Sequence, residues 1–330
     1  MNQPVDIIQD PGRERAFSDP HEQTRIRAAW LYHVEGMTQS EVAKALGVNR
    51  IMITRLLSEA RKRGEVVVRI KSEFAPLVEL ERKLEHRFGM KRAIVAPFSD
   101  PIADPTKTIA AAAGEHVSSL MDHNLTVGVG WGRTMHTMLP FIEGKPLNGV
   151  RVISLLGGIA QARRFNPAEF AWQFAELFDA EGYLVPAPAI VDSAETKHTL
   201  LEHCGLDQIF DLAENCDVAL LSCGGISSLT TSYRLGHVSE TERGSLKEVG
   251  AVGDILYNFL GIDGNRVDHP VNDRSVCMPI ERLTRVNNKV LISGGPEKTD
   301  VLRASILALK PTTFITDEQT AIRLLLPAGS

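Results

Sequence analysis

The sequence predicts an α/β protein in two parts: a small N-terminal unit of the winged helix-turn-helix kind, then a larger Rossmann-like unit on a mostly parallel sheet. Three observations predict it. Charge is divided along the chain, since residues 24–71 carry ten Lys/Arg against four Asp/Glu whereas residues 72–330 carry 24 against 32. The basic stretch reads as three short helices, two of them with capping signals. Beyond about residue 92, short apolar runs alternate with helical stretches, and four of those runs end on glycine.

Residues 1–20, rich in Pro, Asp, Gly and Arg and without apolar periodicity, are expected to form a disordered arm. The helical unit spans 21–71. Its first helix places Ile26, Ala29, Trp30 and Val34 on one face, with Gly36 as its stop. Thr38-Gln39-Ser40-Glu41 matches a capping box and starts a second helix that turns Val42, Ala43 and Leu46 inward. Gly47 permits a sharp turn, Val48 plugs it, and Asn49 caps a third helix whose core face is Ile53, Leu56 and Leu57. EVVVRIK then resembles one strand of a wing. A helix-turn-helix sets its last helix into the DNA major groove, so Arg50, Ile51, Thr54 and Arg55 are the candidate base readers: Arg for guanine, Ile for a thymine methyl, Thr for base or phosphate. Asn49 belongs to the same candidate interface, and Thr38, Gln39, Lys44, Arg61 and Lys62 are candidate phosphate contacts.

Residues 72–91 read as a linker helix with Leu77, Leu80, Leu84 and Phe88 at helical spacing. Two outcomes are open: pairing with its copy in a second subunit, or packing on its own effector domain. From 92 to 330, RAIVAP, LTVGVG, VRVISLLGG, DVALLSCGG, KVLISGG and TTFITD read as parallel strands, whose carboxyl ends are where such sheets bind ligands. Four of them finish on Gly128/Gly130/Gly132, Gly157/Gly158, Gly224/Gly225 and Gly294/Gly295, and AVGD reads as a further turn. Glycine lets backbone approach a ligand and aim N–H groups at oxygens, and a following helix start favours negative charge, so phosphate is the expected guest. GVGWGR has glycine at its first, third and fifth positions. That is neither a dinucleotide fingerprint nor a triphosphate loop, which argues against NAD and ATP.

Composition bounds the rest. With 330 residues, 43% hydrophobic and 23% charged, the chain buries a large core. No apolar run approaches the length of a membrane span and the opening residues lack the order of a signal peptide, so the expected location is the cytoplasm. Cys204, Cys216, Cys223 and Cys277 have no metal-ligand or disulfide spacing. No metal and no cofactor are expected.

A helix-turn-helix of the form MTQSEVAKALGVNRIMITRLLSEARKRGEV, joined to GVGWG, LLGG, CGGI, GAVGD and SGGPEK in that order, resembles the SorC/DeoR-type sugar-binding transcriptional regulators over residues 24 to about 326. The resemblance implies an effector domain related in fold to ribose-5-phosphate isomerases, glucosamine-phosphate deaminases and coenzyme A transferases. It also implies double-stranded operator DNA, a homo-oligomer (dimer or tetramer), and a small sugar, sugar phosphate or polyol as partners. Carried to these positions, 128–134 with Trp131, Arg133 and Thr134 would cradle the anion, and Gly157, Gly158 and Gln161 would line the neighbouring edge. Asp254 would accept from hydroxyls and Lys298 would sit near the phosphate. Arg133, always protonated, holds an anion and forms no imine. The alternative is an isomerase-like enzyme on the same fold, with Asp254, Lys298, Glu195 and His136 as its available acids and bases; the sequence places no compact constellation of them beside the loop.

Overall fold

The computed structural model describes residues 20–66, 74–98, 104–159, 165–227, 230, 233 and 236–327. The expected arm at 1–19, most of the wing strand, and Gln161 lie outside the described residues. The chain divides into two units, Met1–Glu73 and Phe74–Ser330.

In the first unit, α1 (Pro20–His33), α2 (Gln39–Leu46) and α3 (Arg50–Lys62) enclose a small core of Ala28, Ala29, Val42, Ala43, Ile53, Leu56, Leu57 and Ala60. Both caps form. The Thr38 hydroxyl accepts from the Glu41 N–H while Glu41 Oε2 accepts from the Thr38 N–H at 2.7 Å, and Asn49 Oδ1 accepts from the Met52 N–H at 2.8 Å. Gly47 turns the chain at φ +68°. The face of α1 is a correction: Ile26, Trp30 and Val34 are exposed, and Arg25, Ala28 and Ala29 are buried. The inward Arg25 is tolerated because its guanidinium grips the Glu65 carboxylate through Nε at 2.7 Å and Nη2 at 2.5 Å.

The second unit holds a seven-stranded sheet in the order β1-β10-β9-β5-β2-β3-β4, parallel throughout. Its strands are β1 (Arg92–Ala96), β2 (Thr126–Val129), β3 (Arg151–Gly158), β4 (Glu181–Pro188), β5 (Val218–Leu221), β9 (Lys289–Ile292) and β10 (Thr313–Asp317). The central strands β2, β5 and β9 are buried throughout, as a sheet covered on both faces requires. Val127, Val129, Val218, Leu220, Val290 and Ile292 face one core with α5 (Thr106–Leu120), α6 (Arg133–Met138) and α7 (Pro167–Glu176). Ile153, Leu155, Ala219, Leu221 and Leu291 face the other. A second, three-stranded antiparallel sheet of β6 (Gly224–Gly225), β7 (Ala251–Ile255) and β8 (Asn258–Gly261) follows β5, so AVGD is a strand and not the expected turn.

The linker helix α4 (Ala75–Phe88) packs on its own unit. Leu77 and Leu84 are buried in the core of its own unit, and Glu85 and Glu81 accept from the outward N–H groups of Ala93 and Val95 at 3.1 and 2.9 Å. It therefore seals the β1 edge of the sheet. β4 at the other edge is unannounced in the sequence because Pro186 and Pro188 read as loop, yet an edge strand accommodates proline on its unpaired side.

The capping box makes a prediction. Thr38→Ala should weaken α2 by about 1 kcal/mol, and Thr38→Ser should leave it near wild type; hydrogen exchange of the α2 amides in the full-length protein reads the difference.

Candidate DNA interface and effector site

In the first unit Arg50, Ile51, Thr54 and Arg55 all project from the first turns of α3 on the side away from the core. Ile51 is 82% exposed, an unusual place for a large apolar side chain and one that costs area unless something covers it. The Thr54 hydroxyl donates to Gln39 Oε1 at 3.1 Å, so the start of α2 and the face of α3 are coupled. Lys44, Arg61 and Lys62 are exposed around this face, and Thr38 and Asn49 serve as caps with their backbones at the helix starts.

In the second unit the four glycine-ended strands are β9, β5, β2 and β3, which are consecutive neighbours in the sheet. From β2 the chain moves outward through β3 and β4; from β5 it moves outward the other way, through β9 and β10. The crevice at that reversal is the expected ligand position in an open parallel sheet. The loop Gly130–Gly132 leaves β2 on one side of it and Ser222–Gly225 leaves β5 on the other.

Several of these glycines are also required by the protein's own packing. Gly128 lies inside β2, where a Cβ would come within 2.9 Å of Leu155 Cδ2. At Gly157 a Cβ would come within 2.5 Å of the Ala187 carbonyl oxygen. Gly130 packs likewise under Leu256, Gly224 against the Asp254 carboxylate and Gly294 against Asp317. Gly225 is buried and Gly158 half-buried, neither crowded at its Cβ position. Gly132 differs, with open space beside it and φ +124°, a backbone conformation that glycine alone adopts readily. It starts α6, with Arg133 exposed and Thr134 buried.

Gly295, also at positive φ, is fixed by a buried acid. Its N–H donates to Asp317 Oδ2 at 3.1 Å and to Thr320 Oγ1 at 2.8 Å, while Asp317 Oδ1 accepts the Thr320 N–H and so caps the helix Glu318–Leu325. The loop that carries Lys298 is anchored there, and Lys298 Nζ donates to Ser293 Oγ at 3.3 Å.

Asp254 sits in β7 opposite Gly224, 4% exposed, and accepts the Tyr257 N–H through Oδ2 at 2.9 Å. Burial pushes its carboxyl up to about 7; the Tyr257 N–H and the charge of Lys298 oppose that rise without cancelling it. Sequence reasoning missed the next two residues. Leu256 and Tyr257 turn the β7–β8 hairpin at φ +54° and +62°, both buried and neither glycine, a strained turn of the kind that recurs at functional sites. The turn delivers the Tyr257 ring to within 5.1 Å of Trp131, which stacks on His237 at 6.2 Å and 14°. Tyr257 and His237 share a hydrogen bond, and burial lowers the His237 pKa. Nothing in the sequence marks His237, although LY in place of the usual NG-type turn residues marks the hairpin as unusual. Of the remaining acid/base candidates, Glu195 is exposed on α8 (Ala194–His198) and His136 packs edge-on against Phe165. Among the described residues no group of His, Cys, Asp and Glu has metal-site geometry, and no helix is long and apolar enough to cross a membrane.

Residues 72–326 match the family described as "Putative sugar-binding domain", and residues 19–67 match a "Homeodomain-like domain". The chain is 29% identical over 307 residues to a deoxyribonucleoside regulator of Bacillus subtilis, covering 92% of this chain and 97% of the relative. To an erythritol catabolism regulatory protein of Brucella abortus it is 27% identical, covering 94% and 98%. Its fold matches the full-length sorbitol operon regulator of Klebsiella pneumoniae with a TM-score of 0.71 at 23% identity, over 94% of this chain and all of that one. With its helix-turn-helix, its glycine-ended parallel strands and a family match over most of its length, the chain belongs to the SorC/DeoR-type sugar-binding transcriptional regulators.

Proposed function

We propose that this protein regulates a carbohydrate or polyol catabolic operon, and that a small sugar, sugar-phosphate or polyol effector in the β2/β5 crevice modulates its affinity for operator DNA. One observation carries the reading. A single chain holds both an exposed α3 face bearing Arg50, Ile51, Thr54 and Arg55 and a parallel sheet whose order reverses between β2 and β5, with the Gly130–Thr134 loop following β2 and Asp254 paired opposite Gly224 after β5. The recognition face supplies base contacts; Lys44, Arg61 and Lys62 supply phosphate contacts. The protein acts as a dimer or tetramer, since duplex half-sites are read by paired recognition helices. An effector that fits one arrangement of subunits better than another shifts their equilibrium, and with it DNA affinity. The role is binding without turnover, a reading supported by relatives named as a deoxyribonucleoside regulator and an erythritol catabolism regulatory protein.

Asp254 has a dual capacity in this pocket. Near neutral pH its buried carboxyl is both acid and carboxylate, so it can donate to a sugar oxygen or accept from a hydroxyl, where an ordinary exposed Asp would only accept. The same shift links it to stability. A carboxyl whose folded pKa lies above its unfolded one stabilises the fold fully below about pH 4, and that contribution is lost as pH rises through about 7. Asp254→Asn titrates nowhere in this range. Relative to that variant, wild type should lose on the order of 4 kcal/mol between pH 4 and pH 8, read as the difference between their urea unfolding free energies; a flat difference would contradict the shift.

The two functions should separate by mutation. Arg50→Ala should relax base preference at one operator position, at a cost of about 1–3 kcal/mol, and keep the effector response. Lys298→Ala should abolish the response to effector and leave DNA binding at the wild-type level. A gel-shift titration of each variant on its own upstream region, with and without candidate sugar phosphates, checks both. Loss of the same property in both variants would contradict the assignment.

A further inference from the structure

The cation expected to greet an anionic effector is already engaged. Arg133 grips Asp104 as a fork, Nη1 to Oδ2 at 2.7 Å and Nη2 to Oδ1 at 3.4 Å. Asp104 Oδ1 also accepts from the Thr106 hydroxyl at 2.6 Å and from the Thr106 N–H at 3.0 Å, which seats the carboxylate at the start of the 15-residue helix α5. Lys298 lies within electrostatic reach of both Asp104 and Asp254. Burial pushes the Asp104 carboxyl up, but the Thr106 hydrogen bonds and the charges of Arg133 and Lys298 outweigh it and hold the pKa below the ordinary value. Three features that attract an anion therefore converge: a long helix start, a guanidinium and an ammonium. At their meeting point the chain has placed its own carboxylate.

We propose that Asp104 is an internal anion that competes with the effector for Arg133 and sets the charge selectivity of the site. This rests on the effector-site reading above and adds to it the class of ligand favoured. A carboxylate-bearing ligand offers Arg133 one charge, the same as Asp104 offers, and gains nothing by exchange. A phosphate monoester offers up to two charges and three oxygens, and so displaces Asp104. The pair is built to open, because Arg133 and Asp104 are 45% and 51% exposed and water screens their attraction. Asp104 remains hydrogen-bonded to Thr106 when Arg133 leaves it, so the exchange does not unravel α5. Neutral polyols leave the pair closed and use the Asp254 side of the crevice.

Calorimetric titration of the full-length protein with inorganic phosphate and with acetate, at pH 8 and low ionic strength, tests this. Asp104→Asn keeps an acceptor for Thr106 and removes only the charge. It should bind phosphate about tenfold tighter than wild type and should gain measurable acetate binding. The gain should vanish in the Asp104→Asn/Arg133→Gln double variant. If wild type binds phosphate, Arg133→Gln weakens that binding, and Asp104→Asn leaves it unchanged or weaker, Asp104 merely caps α5 or steadies Arg133; the inference then fails and the effector site stands. If neither wild type nor Asp104→Asn binds phosphate, the anion-site reading falls and this inference with it.

Discussion

The effector unit depends on one constraint: β2 and β5 are parallel neighbours whose chains depart in opposite directions. Parallel pairing needs long crossovers, so each strand must hand over to a helix, and two adjacent strands that hand over to opposite sides leave a gap at their carboxyl ends. The proposed effector site is arranged around that gap. The β2 loop brings Gly132, Arg133 and Thr134 to it, and the hairpin that follows β5 brings Asp254 and Tyr257. The β9 loop, held by Asp317 and Thr320, brings Lys298. These parts come from distant stretches of chain, and the sheet alone makes them neighbours.

Electrostatically the gap is graded. Its floor is dry, and there Asp254 keeps its proton to unusually high pH under the Trp131–Tyr257–His237 cluster. Its rim is wet, and there Arg133 pairs with Asp104 in screened solvent. For the proposed sugar-phosphate effector, the floor offers a partner to hydroxyls and the rim offers cations to a charged group.

Much of this was legible in the residues, and the exceptions have physical reasons. LTVGVG, SLLGG, LSCGG and LISGG declared their strands, because short apolar runs bounded by glycine read as buried strands. T-x-x-E and Asn49 declared the two helix starts of the DNA-binding unit, and both caps form. The face of α1 was misleading: a buried Arg25 contradicts any pattern based on hydrophobicity, and only its partner Glu65, forty residues on, makes it possible. β4 was hidden by its prolines. The hairpin at Leu256–Tyr257 was hidden because its turn lacks the glycine and asparagine that normally announce one. Asp104 was half visible, since Asp-Pro-Thr ahead of an alanine-rich run marks a helix start, but its second role with Arg133 depends on a contact across 29 residues.

The crowded glycines carry a consequence for how such a protein can change. At Gly157 a Cβ would stand 2.5 and 2.7 Å from two backbone oxygens, so even a methyl group there disturbs the frame, and Gly128, Gly130, Gly224 and Gly294 lie close against neighbouring side chains. Arg133 and Lys298 beside them are free of that restriction, whereas Trp131 is itself buried against Tyr257 and His237. Ligand preference can therefore be rewritten at the interspersed side chains while the glycines keep the cradle's shape, much as type is reset within a fixed chase.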